Sequence, residues 1–392
     1  MIEGYCATEL QPVRETFAQG FTSGREVGAA LAVWQDGRYL VNLWGGHRDR
    51  RRQIPWQEDT LACCFSVSKA LTATCVLQAL EQAQGGLDQA LVQSVADVWP
   101  AFADAPSDPQ QRAQKRQVTV RHLLAHQAGL PAFRQPVEKT LLYDWAQTCA
   151  ALEQSSLWWV PGSAHGYHAR TFGFLLGEVL RLHSGRTPGR WLREQIAEPL
   201  SAPVYLTLAD ELQVRCADML PARVRLGEEK NWTPEMQQML ADFKDTSTVT
   251  GATFNNPSMG PGYMNQAAFR GAEMPALSGH ATAAGLACLF GALPQLLTPA
   301  TLAQATATQS LGPDQVLKST THFGLGYMLH HTQAPLGWTG CFGHAGAGGS
   351  MAFCDPQRDL GFAFVMNQMQ EGVVTGGTTA SACAAALQAC LN

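Results

Sequence analysis

The strongest constraint on the fold lies at the two ends of the chain, where hairpin patterns stand on either side of a long stretch of helical periodicity. From Val27 to Gly46, two runs rich in β-formers flank Asp36-Gly37, a dipeptide suited to a two-residue hairpin turn. From Ser350 to Met366, a second pair of apolar runs flanks the turn residues Asp355 to Asp359. An alanine-rich helical segment, Thr378 to Leu391, follows. Between the hairpins the apolar period changes, predicting helices over 66–84, 120–126, 141–152, 171–183, 189–196 and 282–293, the last with Thr282 as its N-cap. Residues 207–280 read as loop, broken by Asn256-Pro257 and Gly260-Pro261-Gly262. Strands at both termini predict one antiparallel sheet built from both chain ends, flanked by helices and carrying an inserted, mainly helical region: an α/β (α+β) architecture. The expected division is 1–65 with 300–392 for the sheet and 66–299 for the helical region, acting as one catalytic unit.

Composition removes several functional classes. Hydrophobic residues make up 46% of the 392, enough for a large core and too many for a disordered chain. A net charge of −5 and a basic run limited to Arg48-Asp49-Arg50-Arg51-Arg52 give no surface for a nucleic acid. No apolar window reaches the length of a membrane span, and Met1 to Tyr5 lack the basic start of a secretory signal. The eleven cysteines are odd in number and contain no C-x-x-C, so reduced thiols in a cytoplasmic setting are expected, without a disulfide framework or a zinc site. His122 and His126 share an i, i+4 face, but no H-E-x-x-H accompanies them, and they read as structural histidines. Neither G-x-S-x-G nor a phosphate-binding G-x-x-x-x-G-K-[ST] occurs.

Three segments carry chemistry. In Phe65-Ser66-Val67-Ser68-Lys69-Ala70, Ser66 and Lys69 are one helical turn apart, so an amine can sit against a hydroxyl. A serine hydroxyl needs a neighbouring base to become a nucleophile, and a desolvated lysine can serve. Of six lysines, Lys69 alone has a serine three residues earlier; taken by itself the pair reads equally as an N-cap and a solvated first-turn lysine. The stretch Trp158 to Ala169 places Tyr167 at a loop-to-helix junction, where a nearby ammonium would favour its phenolate, and packing is the alternative role. The glycine-rich Phe342 to Ser350 can bring backbone N–H groups close to a ligand, or simply bend the chain.

Together, in this order and spacing, the three segments resemble the penicillin-recognising serine hydrolases: class C β-lactamases, DD-peptidases and related esterases. The turn Arg121 to Leu130 is similar to the group's L-L-x-H-x-S-G-L pattern, with Ala128 where serine is usual. Gly166-Tyr167-His168-Ala169 and Ala272 to Ala276 resemble the carboxylesterase branch, known as family VIII. The resemblance implies Ser66 as nucleophile, Lys69 as its activating partner, Tyr167 as proton shuttle, and the N–H groups of Ser66 and Ala347 as oxyanion hole. It implies His344 and Gly346 at the substrate, and no cofactor. Trp158, Trp159 and Tyr327 are candidate pocket walls.

Two departures from the lactamase pattern set the expected substrate. Ala169 replaces the Asn of Y-x-N, and His344-Ala345-Gly346 replaces Lys-Thr-Gly. The side chains that grip amide and carboxylate are thereby lost, so cleavage of small-molecule, short-chain carboxylic esters is expected. β-Lactam or D-Ala-D-Ala peptide cleavage, or acyl transfer, is the alternative at the same site. A protonated His344 would supply a cation and raise residual β-lactam turnover toward pH 6.

Overall fold

The computed structural model describes residues 2–223, 234–370 and 377–392. Its main sheet has nine strands: β1 Ile2–Cys6, β2 Gly28–Gln35, β3 Arg38–Gly46, then, after three strands that lie elsewhere, β7 Ser310–Pro313, β8 Thr320–Phe323, β9 Met328–Leu329, β10 Phe342–Ala345, β11 Met351–Asp355 and β12 Leu360–Met366. The order is β1-β3-β2-β12-β11-β10-β9-β8-β7, all antiparallel. Both expected hairpins are present. At the first turn, Asp36 and Gly37 both have positive φ (48° and 78°), the backbone of a turn whose twist matches the flanking strands. The seam between the two chain ends is β12 on β2, in register from Leu360 opposite Gln35 to Met366 opposite Ala29.

Every residue of β12 is buried, which requires cover on both faces. Gly361 and Phe364 are three apart and point to opposite sides. At Gly361 the Ala283–Gly291 helix comes so close that a Cβ would lie 2.0 Å from Ala287 O, and only glycine fits. On the other side Phe364 meets Phe17 of the Gln11–Thr22 helix edge-on, with ring centroids 6.2 Å apart. The Ala283–Gly291 helix begins as expected, with the Thr282 hydroxyl accepting from Gly285 N at 2.9 Å.

The remaining strands, β4 Ala62–Phe65, β5 Val204–Tyr205 and β6 Gly279–Ala281, form a separate small sheet in the order β4-β6-β5. Helices occupy Val67–Glu81, Val120–Leu124, Trp145–Gln154, Thr171–Ser184 and Thr378–Leu391. The loop expected over 207–280 needs correction, because Pro234–Lys244, Val249–Asn255 and Ala267–Gly271 are helical; residues 224–233 lie outside the described set. The Val249–Asn255 helix is started by Thr248, whose hydroxyl accepts from Gly251 N at 3.0 Å, a cap that a short helix needs and that few residues announce. All eleven cysteines are free. No helix among the described residues is long and apolar enough to cross a membrane.

Candidate active site

Strand β4 and the Val67–Glu81 helix meet at Phe65-Ser66. Phe65 has φ of 45°, a conformation that costs a side chain energy and survives only where its surroundings hold it. Ser68 supplies that hold: its hydroxyl donates to Phe65 O and accepts from Gly279 N at 2.9 Å, tying the turn to β6. Ser66 is thereby presented at the head of the helix, on the wall of a cavity of about 450 Å³.

Lys69 is fully buried. Its Nζ donates to Ala169 O at 2.8 Å and Ala276 O at 3.0 Å, and lies 3.4 Å from Ser66 Oγ. Burial pushes its pKa well below the ordinary 10.5. Two carbonyl acceptors use the two N–H bonds of a neutral amine and leave its lone pair for the serine hydroxyl. Ala169 thus contributes a carbonyl to Lys69 at the position where the lactamases carry an asparagine side chain. The Ala272 to Ala276 segment supplies the other carbonyl, and Thr72 Oγ1 fixes it by donating to Pro275 O at 2.6 Å.

Tyr167 is held by its backbone and its ring. Its N–H donates to Asp314 Oδ1 at 3.1 Å, and the same oxygen accepts from Val316 N and Leu317 N. The ring stacks on Phe323 and lies under Lys69 Nζ, 4.5 Å from the centroid. The buried hydroxyl has no hydrogen-bond partner. Burial raises its pKa above the ordinary 10. The expected pull toward phenolate therefore gives way: it assumed an ammonium that burial itself disfavours, and Tyr167 keeps its proton.

The loop after β10 closes the opposite wall. Gly346 N donates to Ser350 O at 2.7 Å, and Ser350 Oγ donates to Cys64 O at 2.9 Å, stapling this loop to the strand that delivers Ser66. A Cβ at Gly346 would lie 2.2 Å from Ser350 Oγ and 2.4 Å from Cys64 O, so glycine is required for the approach. Ala347, next in the chain, lines the cavity with Ser66. His344 is fully buried and shares a 2.6 Å hydrogen bond between Nδ1 and Ala345 O, while its Nε2 has no partner. Burial pushes its pKa down to about 3. This corrects the expectation of a cationic His344: the ring is neutral at pH 6 and gives a carboxylate no charge to pair with.

Ser66, Tyr167 and Ala347 share the cavity wall, with Lys69, His344 and Gly346 buried close by, so that the expected substrate-binding residues His344 and Gly346 do not line the cavity; neither do the three expected wall residues. Tyr327 is in the core, its hydroxyl 2.7 Å from Thr74 Oγ1. Trp158 donates to Ala132 O and lies under Arg134, and Trp159 packs edge-on against His168. The cavity walls come instead from Phe243, Phe254, Met259, Tyr263, Leu277 and Met369. Most lie in the segment read as loop, where no periodicity marked them. His122 caps its own helix through Thr119, and His126 is buried against Tyr167 and Phe323. Among the described residues no group of three His, Cys, Asp or Glu side chains is arranged for a metal.

A serine and a buried lysine on one helical turn, between both chain ends and a helical insertion, define a class of serine hydrolase. The beta-lactamase family model matches residues 13–386, and the chain belongs to that family. "Esterase/beta-lactamase LipL" of Mycobacterium tuberculosis (strain ATCC 25618 / H37Rv) is 30% identical over 92% of this chain and 82% of its own length. Among solved structures, a family VIII carboxylesterase superposes with a TM-score of 0.85 at 32% identity, and a penicillin-binding protein homolog from Caulobacter crescentus with 0.84 at 35% identity; each pairing covers 100% of both chains.

Proposed function

We propose that the protein is a serine carboxylesterase that works through an acyl-enzyme on Ser66. The observation that carries this reading is Lys69: buried, depressed in pKa, with two carbonyl acceptors and the Ser66 hydroxyl around Nζ. The neutral amine takes the Ser66 proton as Oγ attacks the ester carbonyl. The N–H groups of Ser66 and Ala347 then receive the oxyanion. On collapse, the leaving alkoxide takes a proton from the Lys69 ammonium through the Tyr167 hydroxyl, which gives its own proton and is reprotonated. Water, deprotonated along the same path, releases the acid. The regions 1–65 with 300–392 and 66–299 act here as one catalytic unit.

The family VIII carboxylesterase among the similar structures supports ester cleavage, and so does the site. With His344 neutral and Ala169 in place of asparagine, neither a carboxylate nor an amide side chain finds the partner that lactamases offer. An alkoxide also leaves with less proton assistance than an amide nitrogen. The test is a panel of p-nitrophenyl butyrate, nitrocefin and a D-Ala-D-Ala peptide. Butyrate hydrolysis with the highest kcat/KM is expected; nitrocefin turnover equal or faster would replace esterase by lactamase.

A further inference from the structure

Resting on the esterase reading, we propose that the preferred substrates are neutral esters carrying a bulky apolar group, with Phe243, Phe254 and Met259 as specificity-determining residues. A cavity of about 450 Å³ is in the range that holds a whole drug-sized ligand, well beyond the needs of an acetyl or butyryl group. Its lining shared with Ser66 is rich in aromatic and thioether groups: Phe243 and Phe254 stack at 5.3 Å, and Met259 belongs to the same lining. Flat rings and flexible sulfur suit an aryl or medium-length alkyl chain.

Two of the polar side chains in the lining, Arg170 and Asn255, are already engaged. Arg170, the charged residue there, spends its two terminal nitrogens on Phe254 O and Pro257 O. Asn255 Nδ2 donates to Phe243 O at 2.6 Å. A charged substrate group laid against Phe243, Phe254 and Met259 would lose water without gaining a partner from those side chains, whereas an apolar group gains by leaving water. The wall is also fixed in advance. Asn256 Nδ2 donates to Phe133 O and Gln135 O, its Oδ1 accepts from Val137 N, and Thr250 Oγ1 donates to Val316 O. A chain entering this cavity meets a formed surface, so little binding energy is lost to ordering it.

The experiment uses two ester series on the full chain: p-nitrophenyl acetate to octanoate, varying the acyl group, and acetates of ethanol, hexanol and 2-phenylethanol, varying the alcohol. In one series kcat/KM should climb by up to roughly fourfold per methylene, the scale of burying one CH₂. The series that climbs assigns the cavity to acyl or alcohol. In Met259→Trp, which fills the cavity, the octanoate-to-acetate or hexyl-to-ethyl ratio should fall at least tenfold; Phe254→Ala should move the optimum to longer chains and serves should the first variant fail to fold. Flat or falling kcat/KM in both series would overturn the proposal, as would faster cleavage of p-nitrophenyl hemisuccinate than of butyrate, which would make Arg170 an anion receptor. Either result leaves the esterase reading intact, because that reading fails on a different outcome: ester turnover surviving in Ser66→Ala.

Discussion

If Lys69 acts as a neutral base, the pH profile should carry its signature. A lysine with the ordinary pKa of 10.5 would have its amine free in only about one molecule in 300 at pH 8, since each pH unit below the pKa costs tenfold. The rate at pH 8 would then lie roughly 300-fold below its alkaline plateau. In this protein the side chain is fully buried, no carboxylate among the described residues pairs with it to favour the ammonium, and the carbonyls of Ala169 and Ala276 are matched by two N–H bonds. Burial penalises the charged form, so the amine is free at a pH well below 10.5. The sign follows: kcat/KM is lost as pH falls through the depressed pKa and is flat above it. The assay is kcat/KM for p-nitrophenyl butyrate from pH 5 to 10, corrected for spontaneous hydrolysis, with Lys69→Met in parallel. The wild-type rate is expected to level off well below pH 10.5, and the variant to lose roughly 10² to 10⁴, the scale for a positioned proton-transfer group. A wild-type rate still rising tenfold per pH unit between pH 8 and 10 would refute the reasoning.

Three further perturbations test the surrounding structure. Glu26 is buried, with Gln370 Nε2 donating to Oε1 at 3.0 Å and Oε2 unpartnered, and burial raises its pKa from 4.5 to about 7. The folded state therefore holds this proton more tightly than the unfolded chain, and stability falls as pH rises from 4.5 through 7 by up to about 3 kcal/mol. Glu26→Gln should recover most of that at pH 8 and almost none at pH 4.5 in urea titrations; an equal effect at both pH values would contradict it. Tyr327→Phe should cost about 1 kcal/mol of stability by removing a buried hydrogen bond while leaving kcat/KM within about twofold, whereas a large kinetic effect at unchanged Tm would return Tyr327 to the substrate pocket. Ser68→Ala should cost about 1–3 kcal/mol by orphaning Gly279 N–H, and should slow turnover less than Ser66→Ala; a variant as inactive as Ser66→Ala but as stable as wild type would make Ser68 part of the chemistry.

The sheet was legible because β-periodicity and turn residues are local signals. Asp36-Gly37 encodes its own turn, and an apolar run as complete as Leu360–Met366 announces a strand covered on both faces. The spacing of Ser66 and Lys69 was readable for the same reason, being one turn of one helix. Features made by distant segments were not. Nothing in the sequence tells that Ala169 and Ala276 lend carbonyls to the same amine, or that Ser68 holds Phe65 at positive φ through β6. The tryptophans misled because aromatic residues near a motif serve packing as readily as binding. His344 misled because its charge depends on burial, which the sequence around it does not fix. The cavity walls escaped because Phe243 and Phe254 sit on separate helices within a stretch that the breakers Asn256-Pro257 and Gly260-Pro261-Gly262 mark as loop.

The most direct test of the central claim is to trap the acylated serine. The protein is treated with a fluorophosphonate probe, which resembles the tetrahedral intermediate of ester hydrolysis, then digested and mapped by tandem mass spectrometry alongside Ser66→Ala. The expected result is one stoichiometric adduct on Ser66, with loss of esterase activity in proportion to labelling, and neither adduct nor turnover in the variant. An adduct on Ser68 or on a cysteine, or esterase activity that persists in Ser66→Ala, would contradict it.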